Sequence, residues 1–411
     1  MKNVIGVFGL VSLVSVNALA TDVNKWRFNF SGRSDDSSGK SGTTTNIYSD
    51  EPGFGFEPDA SVVVGSNCVT SDKPFLFSVK VPEENYFVTV TFGDDVADSD
   101  NTVKAEMRRL ALEKVATKKG DVVKRTFVVN VRTPKIQGGG DVRLKARETE
   151  TEMVNWDGKL TLEFNGTRPA LHSLDIEPVR VPTVFLVGDS TVCDQPREPW
   201  NSWGQMLPRF FGPGVAVANY AQSGESIKSS LSARRFEKVF SLMKSNDWLF
   251  VQFGHNDMKD KATNALATYK SNLKKIVAQT RERGATPVLV TSMERKNGIE
   301  RDTLAGYPQT VRDVAKEDGV VLIDLHAMSK VLYRALGTNL DKAFQDGTHH
   351  NNFGSYELAR CVVEGIRKEA PVLAMFLASD AGTFNPAKPD APGEFKMAVS
   401  ATVDEKKPDG N

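Results

Sequence analysis

Ser190 closes a short apolar run. Thr183–Val187 reads TVFLV and passes directly into Gly188-Asp189-Ser190-Thr191. A serine in a tight turn after a buried strand presents its hydroxyl beyond the sheet edge, where a nearby base can make it a nucleophile. Further on, Asp346-Gly347-Thr348-His349-His350 places a carboxylate three residues before an imidazole. On one turn, Asp346 can accept the Nδ1–H of His349 and leave Nε2 free as a base. Ser, Asp and His in that chain order form one of the known triad orders. His350 is the rival base, at a spacing less suited to Asp346. Two more segments can add hydrogen-bond donors. Gly224, in NYAQSG, can bring a backbone N–H close to a ligand. Asn256, in QFGHND, can point an amide N–H into the same crevice. Asp189 is expected to tie its turn rather than act as a base, and His172 and His326 to be structural.

These residues need a scaffold that brings strand ends together. From about Arg180, apolar runs recur: TVFLV, VAVAN (215–219), WLFVQF (248–253), PVLVT (287–291) and VVLIDL (320–325). Helical patterns separate them. Leu266, Tyr269, Leu273, Ile276, Val277 and Thr280 share one face, as do Ala359, Val362, Val363 and Ile366. Apolar strands alternating with amphipathic helices predict a five-stranded parallel sheet covered on both faces. Ligands in such sheets sit at the carboxyl ends of strands, which is where Ser190, Gly224 and Asn256 fall.

The first half has a different rhythm. Short alternating stretches at 26–30, 61–65, 75–81, 86–92, 126–132, 142–147, 159–165 and 171–176 are separated by Gly, Asp, Ser and Pro clusters. They predict an all-β sandwich or jelly roll. The stretch 103–115 suits either a helix or a strand, and its neighbours favour a strand. Trp26, Phe54, Phe56 and Trp156 are candidates for stacking on sugar rings, with core packing as the commoner fate. The expected division is 1–20 leader, 21–180 β-sandwich, 181–378 α/β domain and 379–411 Pro-rich tail wrapping the surface.

The leader reading rests on MKNVIGVFGLVSLVSVNALA, with Lys2, an apolar stretch and an A-x-A site ending at Ala20. It predicts cleavage after Ala20 and a secreted or periplasmic protein. Lys+Arg and Asp+Glu are both 52, so the formal net charge is zero and a dedicated nucleic-acid reader is disfavoured. Cys68, Cys193 and Cys361 cannot all pair within one chain; buried thiols are expected, with a single bridge between two of them as the alternative. HExxH and a Gly-rich phosphate loop are both missing, so neither a metal nor another cofactor is expected.

Together, Ser190, Gly224, Asn256 and Asp346-x-x-His349 resemble the SGNH, or GDSL-type, hydrolases over about 183–369. VGDSTV, WGQML, QFGHND and DGTHHNNFGSYELAR are similar to rhamnogalacturonan acetylesterases, and the N-terminal half to the β-domain of bacterial members. The resemblance implies a flavodoxin-like three-layer α/β fold preceded by a galactose-binding-like β-domain. It also implies Ser190 as nucleophile and Asp346 and His349 as its partners. The oxyanion hole would be formed by the N–H groups of Ser190 and Gly224 and the Asn256 amide. The implied activity is deacetylation of a pectin-type polysaccharide, with no nucleic-acid or membrane partner. Glu225 departs from the subfamily, which usually has Arg after the glycine. The same residues also suit a lipase, a thioesterase, a xylan deacetylase or an inactive carbohydrate-binding relative.

Overall fold

A computed structural model describes residues 25–30, 40–42, 46–404 and 406–407. The expected leader and its cleavage site lie outside these residues. Among the described residues, no helix is long and apolar enough to cross a membrane.

The first half forms two sheets that are antiparallel apart from one parallel pair. One has the order Val123–Asn130, Asn85–Phe92, Ala170–Pro178, Trp26–Asn29, Lys40–Gly42, with the short pair Val63–Val64 and Val69–Thr70 at its side. The other has the order Phe54–Phe56, Phe75–Lys80, Lys159–Asn165, Ser99–Ala105, Arg109–Thr117. Period-two alternation decides which side chains face inward. In Asn85–Phe92, Tyr86, Val88, Val90 and Phe92 are buried in the shared core. The sheets meet through aromatic contacts such as Phe28–Phe77, with ring centroids 4.9 Å apart. Trp26, Phe54 and Phe56 lie in this core, and Trp156 is buried against Tyr220 and the Arg132 guanidinium. None of the four has a face open to a sugar.

Two local expectations need correction. The stretch 103–115 is a strand, a turn and a second strand: Ser99–Ala105 and Arg109–Thr117 flank Glu106-Met107-Arg108. Glu106 and Arg108 adopt positive φ of 54° and 61° with neither glycine nor asparagine to announce the turn. The stretch 142–147 is not a strand. Val142 and Leu144 do alternate inward, but they pack against the α/β helices rather than beside another strand. The chain then enters a one-turn helix at Ala146–Thr149.

The second half is a five-stranded parallel sheet: Thr183–Gly188, Ala216–Asn219, Trp248–Gln252, Thr286–Val290 and Val321–Ile323, in spatial order second, first, third, fourth, fifth. Val184 and Leu186 face one apolar cluster, with Asn352–Glu369 and Leu325–Leu336. Phe185 and Val187 face the other, with Ala265–Glu282 and Tyr307–Asp318. This is the three-layer arrangement expected for a flavodoxin-like unit. The order reverses at the first strand, so the crevice opens where Ser190 stands.

The hairpin tip at Glu106–Arg108 enters the α/β half. Leu110 joins an α/β cluster, and Gln205 Nε2 donates to the Met107 carbonyl at 2.7 Å. Buried Arg108 and Lys104 both pair with buried Glu198, at 2.7 and 3.3 Å. The tail does more than cover the surface. Ser400 is buried between Lys104 Nζ (2.7 Å) and Glu163 Oε1 (2.9 Å). The three cysteines are buried and unpaired.

Candidate active site

The turn after the first parallel strand is tied from several sides. A side chain at Gly188 would meet the Gln252 carbonyl at 2.7 Å, so that strand end admits only glycine. Asp189 Oδ1 accepts from the Thr191 N–H (3.0 Å) and hydroxyl (2.7 Å), tying the turn locally. Gln195 Nε2 donates to the Ser190 carbonyl at 2.7 Å. Thr191 is held in turn by Gln252, and Gln252 by the Trp203 indole. Ser190 and its neighbours are thus fixed by a rigid strand end.

Ser190 Oγ lies 2.9 Å from His349 Nε2. His349 Nδ1 lies 2.9 Å from Asp346 Oδ2 and 3.1 Å from Oδ1. Asp346 also accepts from the backbone N–H groups of Thr348 and His349, at 2.7 and 2.6 Å. Burial works to raise the Asp346 carboxyl, but His349 and the two amides outweigh it and hold it well below the usual carboxylate range. An ionised Asp346 requires the hydrogen on Nδ1, which turns the Nε2 lone pair towards the serine hydroxyl. Chemically, this chain can take a proton from Ser190 and return it to a leaving group.

His350 points elsewhere. Its Nε2 lies 2.9 Å from the Tyr333 hydroxyl, and its ring packs on Phe344. Burial pushes its imidazole down to about 3, with the neighbouring histidines adding to the effect, so it stays neutral. Arg312 Nη2 lies 3.1 Å from His326 Nδ1, and His326 Nε2 lies 3.1 Å from Glu294 Oε2. Because a guanidinium can only donate, Nε2 carries the imidazole hydrogen, and no lone pair remains there for a cation in the Glu294, Asp302 and His326 group.

Gly224 takes φ +75° in the turn after the second strand. The Asn256 Nδ2 donates to the Glu225 carbonyl at 3.0 Å, so the two donor segments meet. Lys259 donates to Asn256 Oδ1 at 2.8 Å, which sets the amide orientation and leaves the second Nδ2 hydrogen for a ligand. The Glu225 side chain does not face the crevice. It is buried, 2.6 Å from Lys145 Nζ and bonded to the Ser230 hydroxyl at 3.2 Å.

The β-half therefore supports the Gly224 turn directly. Lys145 and Arg147 donate to the Ser223 carbonyl at 2.7 and 2.5 Å, and Glu152 accepts from Gln222 at 2.8 Å. Sequence reasoning did not identify these supports, because residues far apart in the chain carry no mutual spacing signal. It also passed over His255, whose Nδ1 lies 3.4 Å from Asp189 Oδ2 and whose Nε2 lies 3.1 Å from the Met293 carbonyl. Trp200 was likewise missed; it makes a T-shaped ring contact with His349, with centroids 5.8 Å apart.

Asp257, one residue past Asn256, is buried with Oδ2 lacking a hydrogen-bond partner among the described residues. Burial, with Asp189 nearby, pushes its carboxyl up to about 7. The unfolded chain ionises this group near pH 4, whereas the native state keeps its proton until about pH 7. Asp257 thus makes stability fall as pH rises between those limits. Asp257→Asn is expected to flatten that fall. Urea midpoints at pH 5 and pH 8 check this; an unchanged pH slope would contradict it.

The profile of the GDSL-like lipase/acylhydrolase family matches residues 186–355. The chain is 37% identical to the rhamnogalacturonan acetylesterase RhgT of Bacillus subtilis, over 48% of this chain and 95% of that protein. The chain belongs to the GDSL-like lipase/acylhydrolase family. It is a hydrolase of carboxylic esters. Two further relatives in this family come from the same organism. The probable rhamnogalacturonan acetylesterase YesY is 32% identical, over 45% of this chain and 92% of that one. The uncharacterized esterase YxiM is 27% identical, over 71% of this chain and 74% of that one. In this GDSL hydrolase, both the Ser190 turn and His349 fall inside the matched span.

Proposed function

We propose that this hydrolase removes acetyl groups from a pectin-type polysaccharide of the rhamnogalacturonan class. The hydrogen-bonded chain Ser190–His349–Asp346 at the sheet's switch point carries the reading. The two relatives named for rhamnogalacturonan deacetylation support the substrate class. In the proposed reaction, His349 Nε2 takes the Ser190 proton as Oγ attacks the acetyl carbonyl. The ester C–O bond then breaks, and the sugar oxygen leaves with the proton from His349. Water gives a proton to His349 and attacks the acetyl-Ser190 carbonyl. Acetate departs, and Ser190 recovers its proton from His349. Asp346 keeps the imidazole in the required tautomer throughout. The oxyanion of each tetrahedral intermediate is held by the N–H groups of Ser190 and Gly224 and the Asn256 amide.

Residues 181–378 form the catalytic unit in this proposal. Residues 21–180 act as its buttress through Lys145, Arg147 and Arg108, and 379–411 as a strap. Residues 1–20 direct export. Asn256→Ala is expected to lower kcat by about 10² to 10³, the usual effect of losing one oxyanion donor. Steady-state rates on an aryl acetate check it, and a loss below about threefold would remove Asn256 from this role. The substrate class is tested by acetate release from acetylated rhamnogalacturonan, acetylated xylan and a long-chain aryl ester. The first is expected to have the highest kcat/KM. A preference for xylan or the long acyl chain would overturn this reading.

A further inference from the structure

The protein as a whole has zero formal charge, yet cations crowd the mouth of the site. Lys407 Nζ stands 3.4 Å from Asp346 Oδ2. Lys259 sits on Asn256 Oδ1, and Arg295 donates to the Thr348 hydroxyl next to His349. Burial first, and then the like charges of Arg295 and Lys407, lower the Lys259 ammonium, so these cations face one another without full neutralisation. Like charges held together cost free energy unless something anionic lies among them.

A cleft of about 190 Å³ opens beside this rim. Arg147, Arg197, Trp200, Lys406 and Lys407 help to line it, together with Glu150, Glu152 and Asp404. Its position ties it to the reaction. Trp200 makes a T-shaped ring contact with His349, and Arg147 holds the carbonyl that precedes Gly224. Some of its charge is internally matched: Arg147 pairs with Glu152 at 3.2 Å, and Arg197 pairs with Asp404. The ammonium of Lys406 has no ion pair among the described residues, and Lys407 is half exposed. Among the described residues of the wall, Glu150 has no ion pair either, and Asp404 acts electrostatically on Lys406 as well as pairing with Arg197. The walls come from three parts of the chain: the β-half, the loop after Ser190 and the tail.

We infer that this cleft is a subsite for the carboxylate of a uronic acid residue of the bound polysaccharide, gripped by Lys406 and Lys407 of the tail. The inference rests on the proposed action on an acidic polysaccharide and names where the acid is read. It also gives the cation expected after Gly224 a different source. Glu225 is turned inward, and positive charge reaches the mouth from the tail and the β-half.

Calorimetric titration of the full-length protein with trigalacturonate and with its carboxyl-reduced, neutral counterpart tests the subsite without relying on turnover. Two partly exposed charge contacts are expected to favour the acid by about tenfold at low salt, fading as salt rises. The double variant Lys406→Gln, Lys407→Gln is expected to lose that preference. Equal affinity for both sugars, no binding of the acid, or a preference that survives in the double variant would overturn the inference. Acetate release from acetylated rhamnogalacturonan is scored separately. Its failure removes the proposed substrate, while the titration still decides whether the cleft reads a carboxylate.

Discussion

Ser190→Ala is expected to lower kcat on an aryl acetate by about 10⁴-fold or more in a protein that still folds. The reason lies in the geometry. Removing Oγ deletes the atom that would form the acyl-enzyme, which stands 2.9 Å from His349 Nε2. The turn itself is held by Asp189, Gln195 and Gly188, through bonds that do not use the serine hydroxyl. His349→Ala is expected to cost a similar factor, and the double variant little more than either single one, because residues acting as one unit are not additive. Rates measured on purified variants with native circular dichroism decide the matter. Turnover of Ser190→Ala within about tenfold of the parent would place the nucleophile elsewhere.

Glu198→Ala is expected to have the largest effect on stability, about 3–5 kcal/mol. Glu198 is buried where three parts of the chain converge. Oε1 faces Arg108 Nη2 (2.7 Å) and Lys104 Nζ (3.3 Å) from the β-half and accepts the Ser400 N–H of the tail at 3.1 Å. Oε2 accepts from Asn352, at the start of a helix of the α/β half, at 2.7 Å. Burial alone would raise this carboxyl, but Arg108 and Lys104 prevail and lower it. Truncation leaves buried Arg108 without its carboxylate and Lys104 with Glu163 alone, 3.7 Å away, which costs more than the pair contributes when intact. Because the native pKa is depressed, the contribution is present above the ordinary glutamate range and lost as pH falls through the native value. Urea unfolding of parent and variant is therefore expected to differ most near pH 7 and to converge in acid. A difference below about 1 kcal/mol at pH 7 would show that the junction does not depend on this residue.

Local patterns carried much of the architecture. Each apolar run of the second half became a parallel strand because burial on both faces demands such a run. The helices at 265–282 and 352–369 followed from 3.6-residue spacing. Where local pattern misled, the partner was of another kind. Val142 and Leu144 alternate as a strand does, but helices bury them. The turn at Glu106–Arg108 has no turn residues, since its positive φ values are imposed by the tertiary contacts of a hairpin tip lodged against the other half.

For the site, the sequence by itself determined the candidate chemistry. Ser190 at a strand end and Asp346 three residues before His349 are short-range facts, and short-range spacing survives folding. The spacing to Asp346 already favoured His349 over His350, and tertiary structure shows where the rival goes, because Tyr333 and Phe344 claim the second imidazole. It also turned Glu225 into an ion network with Lys145 and placed Lys407 beside Asp346. Those pairings join residues 80 and 61 positions apart. Nothing in the linear spacing relates them, and only the packing of the β-half and the tail against the α/β sheet brings their charges within reach of one another.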